Sequence, residues 1–461
     1  MVMRRTTRGG VAAAAALCAV AALPGTATAD PGDLPAYRTA DDTEPRKGTA
    51  SSADGPRLAK GGTYSDEIGP SEKKYYSVEL DAKSTPWLSA VAQPKPGSKV
   101  AFAEGLTLTL EATDGTECAS NDVDFGADGA ARPLAVNVAR VTEPDGDCQE
   151  PGVYNLSVER AAESTSDPSK WPLELRFMQE PGLKNVTSTS PPEEGDLPTG
   201  APDLPTGEAR DIKGGTGFND AAGMDAGVWK DRLRPGETRW YRVPVDWGQQ
   251  LVMSAEFGTT QTTDDTAYAG DGVRVDLYSP ARGHIGGEGA MYSADEPEQV
   301  PAAAHPVTYL SRYSYGDAAA NASVAGWYYV SVHAHAEVGK FAKGAVPVTL
   351  RTTLKGKPKA APAYDGDATE AGFGVTGDDK EQAEKGQTAA QADEGDNLKL
   401  VAYAGIGAGT VLIAGLAVWT LTARRRAAAA GGAPGAPVPG AGTGPQGPGG
   451  GWGQQPPQGW G

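Results

Sequence analysis

The residues in this chain best suited to chemistry are carboxylates. Asn121-Asp122-Val123-Asp124-Phe125-Gly126-Ala127-Asp128-Gly129 gathers three aspartates on a glycine-bearing stretch that reads as a loop. Hard oxygens of this kind suit calcium, so Asp122, Asp124 and Asp128 form a calcium candidate. The spacing is not that of an EF-hand loop and lacks its closing Glu; the plain alternative is an acidic surface turn. Asp264, Asp265 and Asp271 form a sparser second group. His333 and His335 stand two apart, which on a strand brings both imidazoles to one face, within reach of one metal. No third ligand lies nearby in sequence, and a solvent-facing strand end is the reading we expect. Tyr313 and Tyr315 have the same spacing and can form a stacking platform for a sugar; the alternative is a sandwich core and rim.

Catalytic templates are missing from the sequence. The chain has 4 histidines, with no His-Glu-x-x-His and no Gly-x-Ser-x-Gly, and it has neither a Walker loop nor a dinucleotide fingerprint. The expectation is a protein that is not an enzyme. The net charge of −18 argues against nucleic acid as a partner, because phosphate binding needs clustered Lys and Arg.

The elements that position these residues sit between two targeting signals. Residues 1–29 read as a signal peptide. Arg4, Arg5 and Arg8 precede an apolar run from Val11 to Leu23, and Ala27-Thr28-Ala29 is the cleavage site, so the mature chain begins at Asp30. Neither a twin-arginine signal at Arg4-Arg5 nor lipidation at Cys18 fits the surrounding residues. Residues 400–423 are apolar and uncharged, and Arg424, Arg425 and Arg426 follow at once as a stop-transfer signal. The expected topology is type I, with an extracytoplasmic ectodomain, one transmembrane helix in the cell membrane and a cytoplasmic tail. Gly405 and Gly409 stand four apart, which would let two such helices approach closely as a homodimer. Cys118 and Cys148, the thiols left after cleavage, read as one disulfide in an oxidising compartment.

Between these signals one pattern occurs twice. Tyr64-Ser-Asp66-Glu-Ile68-Gly-Pro70-Ser-Glu72-Lys-Lys-Tyr75-Tyr76-Ser-Val78 aligns without a gap on Trp229-Lys-Asp231-Arg-Leu233-Arg-Pro235-Gly-Glu237-Thr-Arg-Trp240-Tyr241-Arg-Val243. Downstream, Gly152-Val-Tyr154-Asn-Leu156-Ser-Val158 matches Gly326-Trp-Tyr328-Tyr-Val330-Ser-Val332. Pro172-Leu173-Glu-Leu175-Arg176 matches Pro347-Val348-Thr-Leu350-Arg351. Period-two runs such as Tyr76, Val78, Leu80 and Leu173, Leu175, Phe177 predict short half-buried strands. The fold class expected is all-β, with two tandem β-sandwiches at residues 61–180 and 210–354. Residues 30–60 read as a flexible arm, 181–209 as a Pro-rich linker, 355–399 as an acidic stalk, and 424–461 as a Gly/Pro/Gln-rich, low-complexity cytoplasmic tail.

The opening block, Asp-x-hydrophobic-x-Pro-[Gly/Ser]-Glu followed by aromatic-Tyr-x-Val, together with the downstream Gly-x-Tyr-x-hydrophobic-Ser-Val, resembles the bacterial pre-peptidase C-terminal domain. That resemblance implies a small jelly-roll-like β-sandwich, an accessory module binding carbohydrate or protein surfaces and usually not catalytic. Many members flank a peptidase domain; here no catalytic domain lies beside the modules. The Gly, Pro, Ala, Thr and Val-rich composition with an export signal is similar in style to exported, actinobacterial-type sequences. The expected function is a non-catalytic cell-surface binding or scaffolding protein, whose partner is an envelope protein or cell-wall glycan. The alternative is an accessory subunit of a membrane secretion or sensing complex. A surface hydrolase survives only if the inserts of the second repeat hide a site.

Overall fold

The structure is a computed structural model that describes residues 34–126, 129–143, 146–185, 188–192, 204–394 and 415–425. The first repeat supplies β1 (Glu44–Pro45), β2 (Arg57–Leu58), β3 (Thr63–Ile68), β4 (Lys73–Leu80), β5 (Thr85–Ala92), β6 (Gly105–Ala112), β7 (Glu117–Asp124), β8 (Leu134–Ala139), β9 (Gly152–Ala161) and β10 (Trp171–Glu180). The second supplies β11 (Arg210–Asp211), β12 (Ala222–Gly223), β13 (Gly227–Leu233), β14 (Thr238–Val245), β15 (Gln250–Phe257), β16 (Gln261–Thr262), β17 (Ala269–Tyr278), β18 (His284–Tyr292), β19 (Glu298–Ala303), β20 (Gly326–Ala334), β21 (Ala342–Lys343) and β22 (Val346–Lys355).

Each repeat builds two five-stranded sheets in a sandwich-like layout. The orders are β1-β3-β10-β5-β8 with β2-β4-β9-β6-β7, then β11-β13-β22-β15-β19 with β12-β14-β20-β17-β18. The orders correspond strand for strand, and β16 and β21 form a small ribbon added to the second copy. Even the register repeats: Tyr64 lies opposite Leu175, and Trp229 opposite Leu350. The period-two pattern explains the layering. In β4, Tyr76, Val78 and Leu80 point inward and are buried, whereas Ser77 and Glu79 do not reach the core. Leu106, Leu108, Leu156 and Val158 meet them from their own sheet, and Leu173, Leu175 and Phe177 from the facing one. Each such side chain contributes about 1.5–3 kcal/mol by leaving water.

Two readings of the flanking chain need correction. The described part of the segment read as a flexible arm is not loose. β1 runs parallel to β3 and β2 parallel to β4, so residues 34–60 complete an edge of each sheet. β11 and β12 do the same for the second copy. Strands of two residues carry no readable period, which is why composition suggested disorder. The acidic segment is likewise no free stalk over its described part. Tyr364 and Phe373 are buried, and α2 (Gly377–Lys385) packs on β12 and β14. Thr376 and Asp379 close a capping box at the start of α2, and α1 (Asp317–Asn321) is a single turn between β19 and β20.

Residues 394–461 form a separate unit. Of the apolar stretch 400–423 only residues 415–423 are described; they are helical, and Leu416, Val418, Trp419 and Leu421 are exposed. Among the described residues no helix is long and apolar enough to cross a membrane. Arg424 and Arg425 close this helix. The leader 1–29, Gly405, Gly409, Arg426 and the rest of the tail lie outside the described residues.

Candidate functional site

The sequence candidates do not assemble into one site. Asp122 and Asp124 stand on β7, an exposed edge strand, not on a loop, and the Asp124 carboxylate accepts the Gly126 N–H at 2.9 Å. Asp128 lies outside the described residues. Among the described residues no group of three or more His, Cys, Asp or Glu gathers to hold a metal. Asp264 accepts the N–H and hydroxyl of Thr266 and so closes a local turn. Cys118 and Cys148 are joined as a disulfide.

The tyrosine platform is not formed. Tyr309–Tyr313 is a 3-10 turn, not a strand, so spacing two no longer means one face. Tyr313 donates its hydroxyl to the Thr142 carbonyl of the first sandwich at 3.1 Å, while Tyr315 is fully exposed. His333 is not at a solvent-facing end either. It is 2% exposed, its Nδ1 lies 2.9 Å from the Thr238 hydroxyl, and its Nε2 has no hydrogen-bond partner. His335 points elsewhere, accepting the Glu337 N–H at 2.9 Å. Burial, and then the charge of Arg132, push the His333 pKa down to about 3. Nearby Asp276 is buried as well. Burial opposes its charge, but His284, Arg274 and Arg132 outweigh that and hold its carboxyl at about 2.

The polar chemistry of the molecule gathers instead at the seam between the two sandwiches. The outer faces of β5 and β8 meet β14, β17 and β20: Val91 and Ala135 pack with Phe218, Trp240, Tyr278 and Tyr329. Along β10 the residues alternating with the core, Glu174, Arg176, Met178 and Glu180, face this seam. Glu180 receives Arg312 Nη2 on Oε1 at 2.7 Å and Arg312 Nη1 on Oε2 at 2.9 Å. Trp87 Nε1 donates to Oε2 at 3.0 Å, and the Tyr364 hydroxyl to Oε1 at 2.6 Å. Glu174 pairs with Arg282 and also takes Asn219 Nδ2 at 2.9 Å, the Ala40 N–H at 3.1 Å and the Tyr37 hydroxyl at 3.3 Å. All four charged side chains of these two pairs are at most 1% exposed. Glu174 and Glu180 are therefore each held by one arginine of the second sandwich and one tyrosine from a flanking segment. Burial lowers the guanidinium pKa of Arg282 and Arg312, but the facing carboxylates outweigh it and the net shift is upward. Buried in the same contacts, the Tyr37 and Tyr364 hydroxyls titrate well above their ordinary range.

None of these four residues stood out in the sequence. Glu174 and Glu180 alternate with apolar residues, which reads as a wet outer face. The available signal was β5: Pro86-Trp87-Leu88-Ser89-Ala90-Val91-Ala92 is mostly apolar at both parities, the mark of a strand covered on both sides. A cleft of about 140 Å³ opens beside the seam, lined by Trp87, Asn121, Asn137 and Asn321. Its amides are taken up by one another: Asn121 donates to the Asn137 carbonyl, Asn137 to the Asn321 side chain, and Asn321 to the His284 carbonyl.

No family model matches the chain, and no curated protein matches it. Among solved structures it is similar to the pre-peptidase C-terminal domain of a collagenase from Bacillus anthracis, a β-sandwich, at 15% identity and a TM-score of 0.18, over 27% of this chain and 94% of that one. It is also similar to tripeptidyl peptidase 2, at 8% identity and a TM-score of 0.19, over 63% of this chain and 22% of that one. Neither likeness assigns a family or an activity.

Proposed function

We propose that this protein is a non-catalytic binding or scaffolding protein of the cell surface. In this reading two jelly-roll-like modules of the pre-peptidase C-terminal type stand outside the membrane. A leader at 1–29 exports them, and a single span at 400–423 with Arg424, Arg425 and Arg426 anchors them. The observation that carries the reading is the seam. Two ion pairs buried from solvent, Glu174–Arg282 and Glu180–Arg312, join the modules there, which suits a rigid platform more than a reaction centre. The partner is a cell-wall glycan or an envelope protein, and calcium bound at the Asp122–Asp128 stretch is a further element of the proposal.

The test is retention of the full-length, detergent-solubilised protein on cell-wall glycan and on envelope extract, with calcium and with chelator. Retention on glycan supports the binding reading. Calcium dependence abolished by Asp122→Asn and Asp124→Asn supports the metal. Failure to bind either material contradicts the proposal. A second reading, an accessory subunit of a membrane secretion or sensing complex, is favoured by the acidic segment, which joins the expected span directly to the seam. Removal of residues 427–461 should spare a surface binder and disable such a subunit.

A further inference from the structure

The segment 357–393 touches both sandwiches at the point where they meet. Tyr364 donates to Glu180 and so completes the shell around the Glu180–Arg312 pair. Its ring lies 6.4 Å from Trp247 and 6.2 Å from Tyr309, both of the second sandwich. On the other side the Lys184 N–H donates to the Ala363 carbonyl and the Asp365 N–H to the Gly182 carbonyl, next to the end of β10. Gly372, at φ +89°, lies against Met178 of β10; a Cβ there would come within 2.9 Å of the methionine methyl. Further on, Trp327 Nε1 donates to Asp379 at 2.7 Å and Arg242 Nη2 to Gln382 at 2.8 Å, both contacts to the second sandwich.

Tyr364, Ala368 and Phe373 anchor the segment in the core of the second sandwich, whereas along α2 the attachment is polar and shallow and Ala383 is the buried residue. Few buried apolar contacts and many hydrogen bonds near solvent mark α2 as the end from which the segment opens. Once Tyr364 leaves, the pair beneath it loses a donor and meets water, and an ion pair weakens steeply as its surroundings become more polar.

We propose that segment 357–393 is a latch on the seam. While it is docked the two sandwiches move as one body; when it lifts, the seam between them loosens. The chain continues from the latch into the apolar stretch at 400 after six residues, so a pull or a partner at that stretch acts on the latch first.

Hydrogen–deuterium exchange of the full-length protein tests this. In the double variant Asp379→Ala/Gln382→Ala, and separately in Tyr364→Phe, amides of β10 and of residues 309–314 should exchange about tenfold faster or more, the effect of losing a hydrogen bond to a charged group. Those of β4 and β9, away from the seam, should keep their rates. Seam amides that stay at the wild-type rate while 364–386 is released overturn the proposal, and so does a uniform rise across both sandwiches. The wild-type chain gives a second reading independent of any variant. Amides of 364–386 should exchange at least as fast as those of the seam, and the reverse order contradicts the latch.

Discussion

Tyr76 donates its hydroxyl to Asp66 at 2.8 Å, and Tyr241 donates to Asp231 at the same 2.8 Å. The repeat is complete in its surroundings. Asp66 also accepts the Gly48 N–H and Asp231 the Gly214 N–H, both at 2.8 Å, and both glycines lie against the ring of the tyrosine. The Asp and Tyr repeated in the two opening blocks are thus a fastener that ties the segment before each sandwich to its first two long strands. Burial opposes the charge on Asp66, but Lys74 and the Gly48 N–H outweigh it and hold its pKa below the usual range.

The two fasteners differ in one respect. Lys74, 6% exposed, sits on Asp66 at 2.8 Å, whereas its counterpart Arg239 turns to Glu237. Asp66→Ala strands a buried ammonium and should cost about 3–5 kcal/mol. Asp231→Ala strands neutral donors and should cost about 1–3 kcal/mol. Denaturant unfolding of the two variants checks the order; equal losses would contradict it.

The turn inside each block makes a second comparison. Ser71 has φ +54° where Gly236 has φ +83°. Ser71→Gly should be neutral or stabilise by up to about 1 kcal/mol, because glycine holds the left-handed region without steric cost. Gly236→Ser should destabilise, since its Cβ would also meet Leu34 at 2.8 Å. Midpoints of thermal unfolding measure both.

At the seam, Arg312→Met alone leaves Glu180 buried and charged and should cost about 3–5 kcal/mol. Glu180→Gln with Arg312→Met removes both charges and should recover much of that loss. A double variant as unstable as the single one, by calorimetry, would mean that the pair itself is not what matters.

His333 gives a pH dependence with a definite sign. Its pKa falls from 6.5 unfolded to about 3 folded, so the unfolded chain binds the proton more readily. Its neutral burial is without penalty above pH 6.5, and stability declines as pH falls from there to 3, by up to about 1.4 kcal/mol per unit. Asp276 adds a second loss between 3.8 and about 2, where its carboxylate protonates. His333→Gln should flatten the upper part of this decline, measured as unfolding free energy between pH 7 and 4.

Legibility in the sequence followed the physics of each element. Blocks with a strict period of two, such as Tyr76-Ser77-Val78 and Tyr241-Arg242-Val243, announced both sandwiches, because one face of each strand must be apolar. The cysteines announced their bridge. The seam stayed hidden because Glu174 and Glu180 look the same whether they face water or an arginine of the other module. β1 and β2 were too short to show a period. Tyr313 and Tyr315 were misplaced because a 3-10 turn and a strand share the same short sequence signals.

The account rests on the two sandwiches being one body. Spin labels at Val153→Cys and Met291→Cys, on exposed residues of the first and second sandwich, report the distance across the seam. A single narrow distance population in the wild-type background, broadening in Arg312→Met, is the predicted result. A broad distribution in the wild-type background would show two modules on a free linker and contradict the account.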